Sequence, residues 1–178
     1  MLDTLLFFCY NEEKNRSQVL KYQPNRDYKS NDVVMTPENL AQQLVDHFKP
    51  TGNGLEPCCG TGNILKYLPN ADWCEISKGR DFFDYNKKVD YIFTNPPWSD
   101  IRRFLRHSME IADDIYFLCT INHLWTKARL RDIRSNDFGI VEICIFDTPK
   151  DFPQSGFQCG MFHLKRGYKS SRCDITVL

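Results

Sequence analysis

The sequence predicts an α/β fold built on a mostly parallel sheet. Three observations carry this reading. Short apolar runs alternate with amphipathic stretches along most of the chain, the pattern of strand–helix units. Residues 115–121 form a continuous apolar run, as expected of a strand buried on both faces. The residues that carry chemistry (the glycine turn at 60–62, Glu75, Asp81 and Asn95) all fall at the ends of predicted strands, where ligands sit in such sheets.

Taken in order, residues 1–32 read as an N-terminal arm. An apolar start leads into a polar stretch with Lys14, Arg16, Lys21, Arg26 and Lys29, read either as a solvated segment or as a basic arm touching phosphates. Residues 33–178 are expected to form a single domain without a separate target-recognition domain. Thr36-Pro37-Glu38 reads as a helix start, with a capping hydroxyl, a proline at the first helical position and an acid in the first turn. Leu40, Ala41, Leu44, Val45 and Phe48 supply its apolar face, and Lys49-Pro50 ends it. Leu55-Glu56 then leads into the glycine turn, followed by a short helical pattern over 64–68 closed by Pro69. Residues 71–76 read as a second strand ending in an acid, and 89–94 as a third. Ile101, Phe104, Leu105, Ser108, Met109 and Ala112 mark an amphipathic helix, and 124–134 a helix with a basic side. Residues 139–146 and 159–165 read as an antiparallel hairpin on the sheet edge, joined by a loop holding Pro149, Pro153 and Gly156.

Composition narrows the function. With 178 residues, 42% hydrophobic and 26% charged, the chain suits one soluble globular domain. The formal net charge is zero, so no global field recruits nucleic acid and any such contact uses local patches. Eight cysteines occur without a C-x-x-C pair or a signal-like start, so they read as reduced, intracellular thiols, and no metal site is expected. No stretch is apolar for long enough to span a membrane. The expected compartment is cytoplasmic, or the host cytoplasm for a viral protein.

Asn95-Pro96-Pro97-Trp98 is the most specific stretch. Neither proline has an N–H to donate to a sheet ladder, so the preceding strand stops here. What remains is a stiff tetrapeptide offering an amide, an unpaired carbonyl and a flat ring, a set suited to a planar group carrying an exocyclic NH2. Upstream, Glu56-Pro57-Cys58-Cys59-Gly60-Thr61-Gly62-Asn63 is a glycine turn between a strand and a helix start, which permits close backbone approach to a ligand. It lacks the Gly-Lys-Ser/Thr ending of a P-loop and the full dinucleotide fingerprint.

Together these stretches resemble the class I S-adenosylmethionine-dependent methyltransferases. The likeness is to the amino-methylating branch with an (Asn/Asp)-Pro-Pro-(Tyr/Phe/Trp) motif, and above all to DNA adenine-N6 methyltransferases. Residues 56–63 look like the cofactor loop, Asn95–Trp98 like the catalytic motif, and Val34-Met35-Thr36-Pro37 like the segment that precedes the cofactor loop in enzymes with this motif order. Two departures stand out: the Glu75-to-Asp81 connection is too short for the helix usual there, and Trp98 replaces the commoner Tyr or Phe.

The resemblance implies a Rossmann-like methyltransferase fold, a mostly parallel seven-stranded sheet with an antiparallel edge hairpin and helices on both faces. It implies S-adenosyl-L-methionine as cofactor, held by Met35, Thr36, Pro37, Glu56, Pro57, Cys58, Gly60, Gly62, Glu75, Asp81, Phe82 and Asn95. Glu75 would accept ribose hydroxyls. Asp81 would bond the cofactor's adenine amino group, with Phe82 against the ring. Asn95, Pro96, Pro97 and Trp98 form the implied catalytic set: Asn95 Oδ1 and the Pro96 carbonyl accept the amino hydrogens of a target adenine, and Trp98 stacks on it. The expected activity is methylation of adenine N6 in DNA by a small, phage-like enzyme. Alternatives are the same chemistry on RNA adenine or a protein glutamine, or a non-catalytic cofactor-binding subunit. A specificity partner subunit fits a chain of this size. Phosphate contacts are expected from Arg102 and Arg103, with Arg106 beside them, and from Lys127 and Arg131, which share a helical face with Arg134. Phe152 or Phe157, in the 148–157 loop, is a candidate wedge beside the target.

Overall fold

In the computed structural model, which describes residues 32–68 and 70–178, the apolar runs form one seven-stranded sheet. The strands are β1 (Gly54–Glu56), β2 (Ala71–Trp73), β3 (Val89–Thr94), β4 (Ala112–Thr120), β5 (Phe138–Ile145), β6 (Cys159–Arg166) and β7 (Asp174–Val177). Their spatial order is β2-β1-β3-β4-β6-β5-β7. Only β6 runs antiparallel to its neighbours. The expected arm at 1–32 lies outside the described residues apart from Asp32, as does Pro69, the expected close of the 64–68 turn.

Side-chain alternation along the strands builds two core layers. Tyr91 and Phe93 of β3, Tyr116 and Leu118 of β4, and Met161 of β6 face one side. There they meet Leu40, Ala41, Leu44 and Val45 of helix α1 (Glu38–Phe48). Ile92, Ile115, Phe117, Phe162 and Leu164 face the other side. They pack against Ile101, Phe104, Leu105 and Met109 of α2 (Ile101–Ile111), Leu124 of α3 (Ile121–Leu124) and Ile133 of α4 (Lys127–Ser135). Most of these side chains are fully buried, worth about 1.5–3 kcal/mol each.

Several elements differ from the sequence expectation for physical reasons. Pro37, with ψ 141°, is the residue before α1 rather than its first turn, and the Thr36 hydroxyl accepts from Asn95 Nδ2 instead of capping the helix. The 64–68 pattern makes one turn of 3₁₀ helix, Leu65–Tyr67, too short to propagate. The basic helix breaks at Trp125, and Thr126 caps α4 by accepting from Arg129 N at 3.2 Å. The 139–146 and 159–165 hairpin forms as β5 and β6, but β7 pairs in parallel with β5 and takes the edge. Its Thr176 Oγ1 donates to Glu142 Oε1 at 2.6 Å, and the same oxygen meets His47 Nε2 at 2.6 Å.

The chain leaves β1 to make β2 on one side and returns to make β3 on the other. That reversal is the topological switch point, where the strand ends open a crevice. Glu56 closes β1 and Asn95 follows β3, so the two expected motifs meet there.

Candidate active site

The glycine turn is held from beneath. Cys74 N donates to Glu56 O (2.9 Å), Cys59 N to Cys74 O (3.0 Å) and Gly62 N to Cys59 O (2.6 Å). Gly60 and Gly62 lie at φ +49° and +90°, a region costly for other residues. A Cβ on Gly60 would stand 2.7 Å from Met35 Sδ, whereas one on Gly62 would meet nothing within 4 Å. Gly60 therefore makes room for the 34–36 segment, and Gly62 fronts open space. Asn63 Nδ2 donates to Thr36 O at 2.8 Å and ties that segment over the turn.

β2 stops at Trp73, short of the expected 76, and Glu75, two residues beyond it, locks the turn. Its Oε2 accepts from Gly60 N at 2.8 Å, and its Oε1 accepts from Ser77 N (3.1 Å) and Ser77 Oγ (2.7 Å). Burial raises this carboxyl, but the hydrogen bonds from Ser77 and Gly60 outweigh it and hold the group below its ordinary value. Glu75 and Arg80 exchange backbone hydrogen bonds of 2.9 and 3.1 Å, so a tight turn replaces a helix between β2 and Asp81. Asp81 caps the following turn by accepting from Phe83 N at 3.0 Å.

Glu56 behaves differently. It is 1% exposed, and its Oε2 has no partner among the described residues. Burial, helped by the charge on Glu75, pushes its carboxyl up to about 8 against a hydrogen bond from Leu65 N–H. At neutral pH the carboxyl is thus largely protonated until a cation arrives.

Asn95 is oriented on both sides. Its Nδ2 donates to Val34 O (3.2 Å) and Thr36 Oγ1 (3.4 Å), while its Oδ1 accepts from Trp98 Nε1 (3.2 Å). This network sets the amide with its NH2 toward the 34–36 segment and its oxygen toward Trp98. Among the described residues no backbone N–H donates to the Pro96 carbonyl. The Trp98 indole N–H also reaches Leu118 O at 3.2 Å. The ring is half-buried between His123 (centroids 5.9 Å) and Phe152 (6.0 Å, edge-on).

Of the expected site residues, Met35, Thr36, Glu56, Cys58 and Asn95 line one small cavity of about 20 Å³. That volume holds about one water. Val34, Cys59, Thr61, Asn63 and Ile64 complete its wall; Asn63 and Thr61 sit within the quoted motif but carry no signal of their own. Pro37, Pro57, Gly60 and Gly62 flank the wall in sequence, and Pro96 and Pro97 follow Asn95. Burial and the Glu75 charge raise the Cys58 thiol, which leaves it un-ionised.

Phe82 is corrected. It is 2% exposed and stacks on Phe104 at 5.2 Å and 23°, because its turn is capped to direct it into the core, so no ring face is offered to a ligand. The expected phosphate contacts also divide. Arg102 and Arg106 both clasp Asp132, while Arg103 lies 3.6 Å over the Phe83 ring and 3.8 Å from Asp100. Lys127 and Arg131 are exposed on α4. Of the two candidate wedges, Phe152 is packed against Trp98 and Phe157 is 53% exposed. Among the described residues no helix is long and apolar enough to cross a membrane, no group of side chains is arranged to hold a metal, and the cysteines are free thiols.

No family model and no curated protein matches the chain. Solved structures do. A proposed class I S-adenosylmethionine-dependent methyltransferase from Listeria monocytogenes aligns at TM-score 0.58 and 14% identity, covering 85% of this chain and 68% of that one. The fold is that of the class I methyltransferases. A proposed RNA methyltransferase from Pyrococcus horikoshii aligns at TM-score 0.56 and 16% identity, over 76% of this chain and 87% of that one. The methyltransferase subunit of a type I restriction-modification system from Streptococcus thermophilus aligns at TM-score 0.58 and 12% identity, over 84% of this chain. This chain spans about half of that subunit, 48% of its length. The expected sheet, mostly parallel with an antiparallel pair, is therefore the methyltransferase sheet, closed at one edge by β7.

Proposed function

We propose that the chain is an S-adenosylmethionine-dependent methyltransferase acting on the N6 amino group of adenine in DNA. The observation that supports it best is the pairing of an oriented Asn95 amide oxygen with the Pro96 carbonyl, beside the Glu56 cavity at the switch point.

The residues fit the cofactor. An unpartnered, buried carboxyl oxygen on Glu56 suits an ammonium, which would draw that group into its charged form. The open space before Gly62 suits close approach of a ligand. Glu75 would present its carboxylate to ribose hydroxyls, and Asp81 its carboxylate to the adenine amino group; Met35, 41% exposed, would swing aside to widen the cavity. When bound, the cofactor supplies an electrophilic methyl group.

The remaining work falls to Asn95 and its neighbours. An adenine amino nitrogen is a poor nucleophile because its lone pair is delocalised into the ring. Two acceptors, Asn95 Oδ1 and Pro96 O, would hold its hydrogens, favour a pyramidal nitrogen and stabilise positive charge as it develops there. Asn95 Oδ1 keeps a second lone pair while accepting from Trp98. Holding the partners in line supplies much of the remaining acceleration. No strong base is needed before transfer, and the proton is lost to solvent afterwards. A base in a duplex has to be extruded to reach this depth, with Trp98, His123 and Phe152 as walls.

The likeness to a restriction-modification methyltransferase subunit favours DNA, and with it a partner subunit carrying sequence selectivity. A second reading, RNA adenine, is favoured by the Pyrococcus horikoshii likeness. Incubation of the chain with isotope-labelled cofactor and single-stranded DNA, duplex DNA or RNA, followed by nucleoside analysis, separates them. N6-methyladenine in DNA, lost in Asn95→Ala, is the expected result. Product confined to RNA selects the second reading, and no methylated adenine in any substrate removes both.

A further inference from the structure

Behind the tetrapeptide, positive charge exceeds its local partners. Both oxygens of Asp132 are already committed. Arg102 donates to them at 2.7 and 3.2 Å and Arg106 at 2.9 and 3.3 Å, which ties α2 to α4 and holds the carboxylate far below its usual range. Arg129, three residues before Asp132 on α4, is a third guanidinium within electrostatic reach of the same group. Its Nε is buried and has no partner among the described residues. A buried donor without an acceptor is costly, and a cation pressed against two others more so. The first turn of α4 adds the positive end of a helix dipole.

A second unmet group lies close in the chain. Asn122 Oδ1, in α3, is also buried without a partner among the described residues. Between Asn122 and Arg129 comes His123, whose ring stands beside Trp98 and senses the Arg129 charge. His123 thus stands between the Arg129 charge and the Trp98 ring. What the cluster lacks is an anion with oxygens for a planar N–H fork, and a phosphodiester matches that chemistry.

We propose that Arg129, absent from the sequence-level expectation, binds a backbone phosphate of the substrate strand beside the methylated nucleotide, with Asn122 and His123 lining the path from that phosphate to Trp98. The Arg102–Asp132–Arg106 clasp serves as the rigid frame that aims Arg129. This rests on the nucleic-acid reading above. It differs from that reading in assigning the phosphate contact to a half-buried arginine with an unmet donor rather than to the exposed Lys127 and Arg131.

The test uses the full chain as wild type, Arg129→Gln and Arg129→Lys. Oligonucleotide affinity is measured across a salt series, and cofactor affinity separately by calorimetry. Arg129→Gln is expected to weaken oligonucleotide binding about tenfold and to flatten the log affinity–log salt slope by roughly one contact, with cofactor affinity unchanged. Arg129→Lys is expected to restore the slope. In wild type, an oligonucleotide series carrying one uncharged methylphosphonate at successive positions should show one position that matters, and Arg129→Gln should be blind to it. 5′-AMP should outcompete adenosine only in wild type if a free nucleotide phosphate suffices; if neither competes, the flanking strand phosphate is the ligand. An unchanged salt slope in Arg129→Gln, or no sensitive methylphosphonate position, overturns the site alone. Wild type that binds cofactor but no oligonucleotide overturns the site and the nucleic-acid reading together.

Discussion

Replacing Glu56 with Gln should make the cofactor-free protein more stable, although the residue sits at the heart of the site. The carboxyl is buried, has one unpartnered oxygen, and is pushed from an ordinary 4.5 to about 8. A folded-state pKa raised above its unfolded value contributes full stability below the unfolded value and loses it as pH rises through the folded one. For wild type the loss thus runs from pH 4.5 to about 8. At roughly 1.4 kcal/mol per pH unit it reaches about 3 kcal/mol at pH 7 and about 5 kcal/mol above pH 8. Gln copies the shape of the protonated acid and does not titrate. Thermal unfolding of both proteins from pH 4 to 9 should give equal Tm values near pH 4.5 and a widening gap above it, roughly 6–12 °C at pH 7 for a domain of this size. A gap that stays constant with pH, or a variant less stable at pH 8, would refute the account of Glu56 as a carboxyl kept protonated by burial. The same variant should lose cofactor affinity. Cofactor binding to wild type at pH 7 should release a proton, visible as a dependence of calorimetric heat on buffer ionisation enthalpy.

Asn95→Ala should lower kcat about 10²–10³-fold, the range for removing one directed hydrogen-bonding group, in a radiolabel transfer assay. Asp132→Asn leaves Arg102 and Arg106 without their shared carboxylate and should cost roughly 1–3 kcal/mol in urea denaturation, scaled down because both arginines are about half exposed. Because the Asp132 pKa is depressed, that difference should hold above the unfolded value near 3.8 and vanish as pH falls well below it. Gly60→Ala places a Cβ 2.7 Å from Met35 Sδ at φ +49° and should destabilise by about 1–2 kcal/mol, partly restored by adding Met35→Ala. The His123 imidazole is held below 6.5 by burial and then by the Arg129 charge, against the pull of Asp32; Arg129→Gln should raise its midpoint in an NMR titration.

Much of the architecture was readable from local pattern. The 101–112 stripe became α2 and the apolar run near 115–121 became β4, since each signal lies in a single segment and has one period. β7 was not readable, because four largely exposed residues carry no alternation strong enough to separate a strand from a tail; pairing with β5 and the Thr176–Glu142 bond make it one. Phe82 misled because its likeness to a cofactor-side segment says nothing about which way a capped turn points it. The basic residues were likewise grouped by spacing alone. Sequence spacing groups Arg102 with Arg103 and Lys127 with Arg131, whereas α2 packed beside α4 brings Asp132 between Arg102 and Arg106 and leaves Arg129 with the unmet donor.

By itself the sequence determined where the chain must stop, turn and bury. Two prolines end β3 after Asn95, glycines at 60 and 62 hold the positive φ of the turn, and apolar runs choose the two faces of the sheet. These are local steric and hydrophobic constraints, written residue by residue. Only the tertiary structure decided what the polar groups do. Glu75 became a lock for the turn by finding Gly60 N and Ser77, while Glu56, of the same chemistry, found no partner for one oxygen and stays protonated until a cation comes. The amide of Asn95 points its oxygen at Trp98 because Val34 and Thr36 arrive from about sixty residues away to take its other end. A charge or hydrogen-bonding group acquires its role from whatever the fold places within about three ångströms of it, and that distance has no counterpart along the chain.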